Sequence, residues 1–354
     1  MQARYELSEI WHTFCPVVCA SHVALAKGWF DDEFEKDGIK ISYIKQLPVE
    51  EWQLHFTHRR QSLIRDGGNI PPIWAKSEGV DTKVIGMSWL DGVRGILVKT
   101  DSPISSVKEL KGRKVALMRR LPNLIDFPRA SEKLSILTAL KAHGLGENDI
   151  QFVDIPLPIN SIATDINVAS ETGWPIAPRS GWKIPQEPAV QALQSNEVDA
   201  ITARAAETIF LEKAGIARVI YDVNSHPDLK YRVNIDHPYV CTASGDLVRD
   251  YPELLVRWMK VVVRAGRWAS NNYDEVVKTV AKVTTWNEEA IKKSHPSDFH
   301  KKLVPEISEE GIECLEAEKD FLKAHGFINN DFDVRSWIDG QFLSTAIKEV
   351  EAES

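Results

Sequence analysis

The sequence predicts an α/β fold with room for two lobes, on three observations. Short apolar strand patterns alternate with amphipathic helical patterns along the whole chain. A chain of 354 residues can bury two cores. Hydrophobic residues make up 43% and charged residues 27%, the ordinary range for a globular protein.

The first strand is expected over residues 7–12. Pro16 at a first helical position predicts a helix running to Lys27, stopped by Gly28, with Cys15 as its N-cap. Asp37-Gly38 turns the chain, and the alternating IKISYIK of 39–45 reads as a half-buried strand. KVIGMS (83–88) and RGILVK (94–99) are further strands. In SPISSVKELKGRKVAL (102–117), Ser106 and Glu109 have capping-box spacing, Gly112 ends a short helix and RKVAL follows as a strand. Then come a helix near 131–143, a strand at 149–155, a helix near 188–196, and strands at 198–203, 218–222 and 237–244. Helices around 252–270, 287–294 and 308–326 complete the pattern. Residues 160–188 are polar and punctuated by Gly and Pro. A segment of that length reads as a lid or a surface insertion.

Composition narrows the function classes. Net charge is −8, with 43 Lys+Arg against 51 Asp+Glu, which argues against a general affinity for nucleic acid. No apolar run approaches the ~20 residues that span a bilayer, so no membrane partner is expected. MQARYELSEIWHTFC has no apolar h-region and does not read as a signal peptide. Cys15, Cys19, Cys241 and Cys314 point to reduced thiols and a cytoplasmic location, and Cys19, Cys241 and Cys314 read as core. No CxxC or HExxH spacing is present, so no metal is implied. A monomer is expected.

One stretch departs from the acidic background. From His55 to Arg65, HFTHRRQSLIR holds three arginines and two histidines and no carboxylate. Gly67-Gly68 and Pro71-Pro72 follow. Arg65 offers a planar fork for an oxyanion. Gly67 and Gly68 let backbone N–H groups approach the same anion. A helix starting at Pro71 or Pro72 would add positive potential. His55 can exchange protons with a thiol or an oxyanion. Cys15, at the positive end of its helix, is placed to react. Taken singly, each also fits a structural role: a core cysteine, a satisfied histidine, a solvated arginine. His58, Arg59 and Arg60 read as a solvated face.

Resemblance sharpens this reading at two levels. AxxKGWF…GIxI (24–41), DSPISSVKELKGRKVAL and ALQSNEVDA (192–200) resemble the periplasmic-binding-protein scaffold in its nitrate/taurine-type branch. That implies a two-lobed periplasmic-binding-protein-like (type II) α/β fold with the active-site cleft between lobes. Lobe 1 would take residues 1–99 and 237–354, and lobe 2 residues 100–236. More narrowly, Cys15-Pro16-Val17, His55-Phe56-Thr57, Arg65, Gly67-Gly68 and Ile70-Pro71-Pro72 resemble the aryl-sulfinate desulfinase family of dibenzothiophene desulfurisation. Similarity runs on through DSPI (101–104), GRWA (266–269), KLVP (302–305) and the DFL…W…FL tail (320–343).

The narrower resemblance implies Cys15, His55 and Arg65 as catalytic residues. It implies Gly67, Gly68, Phe56 and Pro16 as substrate-binding residues, no cofactor, and a small organic sulfinate as partner. The implied reaction is hydrolytic cleavage of a carbon–sulfur bond with release of sulfite. Cys15 would serve as proton donor or as nucleophile. Two departures open the organic part of the substrate. Thr13-Phe14 replaces a small polar pair, and Ser131 falls where the family has a pocket tryptophan. Trp174 and Trp182 could restore an aromatic wall. The alternatives on this scaffold are a non-catalytic carrier of sulfonate or carboxylate anions, which gives Cys15 no task, and another lyase or decarboxylase.

Overall fold

The structure, a computed structural model, describes residues 5–15, 17–89, 91–119, 124–156, 187–284 and 286–353. The expected segment 160–188 and its tryptophans therefore lie almost wholly outside the described residues, as does Pro16. In chain order the strands are β1 (Glu9–Phe14), β2 (Lys40–Tyr43), β3 (Leu63–Gly67), β4 (Thr82–Ser88), β5 (Arg94–Lys99), β6 (Lys114–Arg119), β7 (Gln151–Pro156), β8 (Ala200–Arg204), β9 (Ala217–Asp222) and β10 (Tyr239–Ser244).

These strands form two sheets, ordered β2-β1-β3-β10-β4 and β7-β6-β8-β5-β9. Each sheet has three mutually parallel strands. Each also takes in one strand that arrives from the other lobe and runs antiparallel to both neighbours. β10 does this between β3 and β4, and β5 between β8 and β9. The two-lobed α/β class expected from the sequence is what the chain forms.

β5 falls within the residues expected for lobe 1, yet it pairs with β8 and β9 in the second sheet. The apolar run RGILVK marks a buried strand but carries no record of its partner. The chain thus passes from one sheet to the other after β4 and returns before β10. β3 begins in the basic stretch, where the sequence shows charge and no strand pattern. Its pattern LIRDG is buried along its whole length. Helices Ala205–Lys213, Tyr273–Thr284 and Gln341–Ala352 were not anticipated either.

Parallel strands place their C-terminal ends on one edge, where open α/β sheets bind ligands. In the first sheet β1 and β3 end there, at Phe14 and Gly67. In the second sheet β6 and β8 end there, at Arg119 and Arg204. Helix Pro252–Ala269 backs the first sheet and closes its core. Its Trp258 is fully buried, stacks on Phe30 at 4.0 Å, and meets the His12 ring edge-on at 4.9 Å. Among the described residues no helix is long and apolar enough to cross a membrane.

Trp258→Ala removes the side chain that fills this core and should cost about 3–5 kcal/mol in urea unfolding. A loss under about 1 kcal/mol would show that the helix is held elsewhere.

Candidate active site

The helix after β1 begins later than the sequence suggests. It runs over Ala20–Ala26, with Cys19 as N-cap in extended geometry, φ −154° and ψ 163°. Cys15 is not its N-cap. The β-branched pair Val17-Val18 resists helix, and Val17 N–H bonds back to the Cys15 carbonyl at 2.9 Å in a tight turn. The helix dipole is therefore no source of reactivity at Cys15. Cys15 is instead the first residue beyond the end of β1, tied by its N–H to Asp66 O at 3.0 Å. It is only partly buried.

Arg65 stands inside β3, between β1 and β10, and is 0% exposed. Its Nε–H donates to His55 O at 3.0 Å, and Nη1 donates to Gly68 O at 3.1 Å. Nη2 is then left near the His55 Nε2 at 3.4 Å and the Cys15 Sγ at 3.9 Å. Among the described residues no carboxylate forms an ion pair with this guanidinium. Adjacent Asp66 points to the far side of the strand, where it pairs with His12 at 2.9 Å. Burial lowers the Arg65 pKa, and the field of Cys15 is the first of those that oppose the shift. The group remains a cation.

The glycines after Arg65 have a spatial task. A Cβ on Gly67 would lie 2.4 Å from the guanidinium, and one on Gly68 would lie 2.5 Å from the Ile235 side chain. Without side chains here, Arg65 can fold back over its own strand. The helix Ile70–Ser77 follows with Pro71 in its first turn, as expected.

His55 lies in the short helix Leu54–Thr57 and is 7% exposed. Its Nε2 is 3.5 Å from the Cys15 Sγ. Arg65 Nη2 can only donate, so Nε2 is the acceptor and Nδ1 carries the proton. That Nδ1–H donates to Thr13 Oγ1 at 2.8 Å. Thr13, a departure from the family pair, thus keeps a polar task. Burial first, and then the Arg65 charge, hold the His55 pKa well below its ordinary value, so the imidazole is neutral at physiological pH.

Cys15, His55 and Arg65, separated by 40 and 10 positions, therefore meet at one point. Phe56 stands beside them, its ring edge-on to His55 and stacked on Phe127 at 5.4 Å. Phe127 opens the helix Phe127–Ala142 that packs on the second sheet. It lies one turn before Ser131, on the same helix face. Ser131 itself is buried and accepts from Arg94 Nη1 at 3.2 Å. Phe127, one turn before Ser131, is the aromatic side chain that this helix sets against Phe56. A helical offset of four was the signal available in the sequence.

The expected solvated face is only partly so. Arg59 is exposed. His58 is buried, its Nδ1 3.0 Å from Phe56 O and its pKa pushed down to about 3 by desolvation. Arg60 lies over the Trp11 ring at 3.6 Å. Tyr239, missed in the sequence, is buried and packs with Cys19, Cys15 and Val17. Cys19, Cys241 and Cys314 are buried, as expected.

Residues 16–172 match the family model described as NMT1/THI5 like. The 2'-hydroxybiphenyl-2-sulfinate desulfinase of Rhodococcus erythropolis is 26% identical over 356 residues, covering 94% of this chain and 92% of that protein. A mutant of the desulfurisation enzyme DszB, crystallised with biphenyl-2-sulfinic acid, superposes with a TM-score of 0.73 at 23% identity, over 96% of this chain and 99% of the other. The periplasmic aliphatic sulphonate binding protein of Escherichia coli superposes with a TM-score of 0.67 at 16% identity, over 94% and 92%. The resemblance drawn from residues 15–72 thus holds over nearly the whole chain, on a periplasmic-binding-protein-like fold.

Two outcomes follow from this geometry. Gly67→Ala should cost about 1–3 kcal/mol in chemical unfolding, because its Cβ would displace the guanidinium; an unchanged midpoint would contradict the close approach. Nitrogen NMR of His55 should show the neutral, Nδ1-protonated ring well below pH 6. An imidazolium appearing with a midpoint near 6.5 would contradict the assigned state.

Proposed function

We propose that this chain, similar to the sulfinate desulfinases over nearly its whole length, cleaves the carbon–sulfur bond of an aryl sulfinate with water. The balance is R–SO₂⁻ + H₂O → R–H + HSO₃⁻. The single observation that carries the reading is the meeting of Cys15, His55 and Arg65 around a guanidinium that has no carboxylate partner among the described residues. A non-catalytic carrier would need the cation but would leave the thiol–imidazole contact without a role.

In this reading the sulfinate oxygens lie against the Arg65 Nη2 side, and Gly67, Gly68 and Phe56 stand around them. Phe56 and Phe127 offer a π face to the organic part. His55 favours Cys15 as proton donor over nucleophile. Moving the thiol proton to Nε2 would create an imidazolium in a buried position beside Arg65, and both effects oppose it. The Cys15 S–H therefore delivers its proton to the carbon that bears sulfur. The carbon–sulfur bond breaks, and its electron pair goes to the new C–H bond. SO₂ departs and adds water, giving HSO₃⁻ and a proton that restores the thiol. In the interval the Cys15 thiolate is stabilised by Arg65 Nη2. Thr13 keeps the His55 ring in its tautomer. The four cysteines are free thiols, and a reducing, cytoplasmic location is part of this proposal.

Sulfite release from a panel of aryl and alkyl sulfinates tests it. The wild type should turn over aryl sulfinates, and Cys15→Ser should lower kcat by at least ~10³-fold, a loss of the size seen for essential reacting groups. Turnover that survives the substitution would remove Cys15 from the reaction. His55 stays neutral throughout, so the rate should show no acid limb with a midpoint near 6.5. An acid limb there that disappears in His55→Gln would contradict the proton-donor assignment.

A further inference from the structure

The cleft edge of the second sheet carries another arginine, which the chemistry at sulfur does not use. Arg204 is the last residue of β8, and its Cα partner is Arg94 at the start of β5. Arg94 stands where the chain enters the second sheet from the first, and Arg204 ends the strand beside it. Arg94 is buried and takes Asp236 in a close pair at 2.8 Å, with Asn234 Oδ1 at 3.4 Å and Ser131 Oγ at 3.2 Å. Arg204 reaches the same Asp236 oxygen only at 3.8 Å, and its side chain remains 41% exposed. One carboxylate thus faces two guanidiniums, and the nearer one holds it. Glu207, a turn further along Ala205–Lys213, is buried with Oε2 unpaired and forms no ion pair with Arg204. Ala205 takes φ 45°, a left-handed conformation that a residue with a Cβ seldom adopts. This fixes the abrupt turn that leaves Arg204 at the strand end.

Arg204 is also tied by its neighbours to the glycine turn that follows Arg65. Asp236, which Arg204 approaches at 3.8 Å, follows Ile235, whose carbonyl accepts from Asn69 N–H at 2.9 Å and whose side chain lies 2.5 Å from where a Cβ on Gly68 would stand. The two lobes therefore present one guanidinium each to the same space. Arg65 is buried and committed to the reacting group, whereas Arg204 is half-exposed and loosely paired. A planar fork in that state suits a carboxylate.

We infer that Arg204 binds a second oxyanion, a carboxylate on the organic part of the sulfinate, so that the preferred substrate is a dianion held between Arg65 of one lobe and Arg204 of the other. The identity of the first anion rests on the desulfinase reading; the role of Arg204 does not. Binding of benzenesulfinate and of its 2-, 3- and 4-carboxy derivatives is measured by calorimetry on Cys15→Ser, and sulfite release from the same compounds on the wild type. At least one carboxylated isomer should bind about tenfold or more tightly than benzenesulfinate, the scale of a close charge pair across an interface. That ratio should fall towards one in Cys15→Ser/Arg204→Gln and return in part with Arg204→Lys. The inference is overturned if no carboxylated isomer outbinds benzenesulfinate, a comparison that needs no change at Arg204. It is also overturned if the preference survives Arg204→Gln. A dianion preference without sulfite release leaves Arg204 its role and removes the desulfinase reading. Sulfite release without the preference does the reverse.

Discussion

The site depends on a buried cation that no carboxylate among the described residues neutralises. Moving a guanidinium out of water costs several kcal/mol, and folded proteins usually offset this with a carboxylate. Here Arg65 is completely enclosed in the central strand of its sheet. Backbone carbonyls of His55 and Gly68 take two of its donors, which eases the desolvation without cancelling the charge. The nearest acid in sequence, Asp66, is turned away by strand alternation and occupied by His12. The remaining positive field falls on Cys15 and His55. Burial first, and then this field, keep the imidazole neutral; in the proposed reaction the same field favours an anion in front of the thiol and stabilises the thiolate once the proton has left.

The fold explains how three residues far apart in sequence share that field. β1 and β3 are adjacent and parallel, so the residues at their ends meet on one edge. The helix that carries His55 follows the connection between them and brings its ring back over the same edge. The second sheet repeats the arrangement and turns its own strand ends to the cleft. A buried polar network holds the crossings together. Arg94, Asn234 and Asp236 join one crossing to the other. Asn69, at the start of Ile70–Ser77, links Asn234 to Glu318. Desolvation raises the Glu318 pKa well above its ordinary value.

The sequence was most legible where chemistry is local. Capping residues, glycine stops and alternating apolar runs located most strands and several helices within a few positions. A basic stretch without carboxylates, His55 to Arg65, is visible as composition. Spatial facts were not. The charge of Arg65 drew attention away from the strand around it, because an arginine inside a buried run contradicts the pattern that marks strands. Pro16 suggested a helix start that Val17-Val18 postpones to Ala20. The partner of β5 depends on the path of the whole chain. Phe127 could be found only by asking which residue lies a helical turn from Ser131. That Gly67 leaves space for the Arg65 guanidinium, and Gly68 for Ile235, is likewise a fact of the folded chain alone.

The most direct test of the central claim is the unfolding free energy of the wild type and of Arg65→Met, each with and without a saturating aryl sulfinate. The account predicts that the ligand at about 100-fold over its Kd stabilises the wild type by about 2.7 kcal/mol. It predicts no stabilisation of Arg65→Met, whose ligand-free form is at least as stable as the wild type, since a costly buried charge has gone. Equal stabilisation of both proteins would contradict it, because the anion would then be held by something other than this guanidinium.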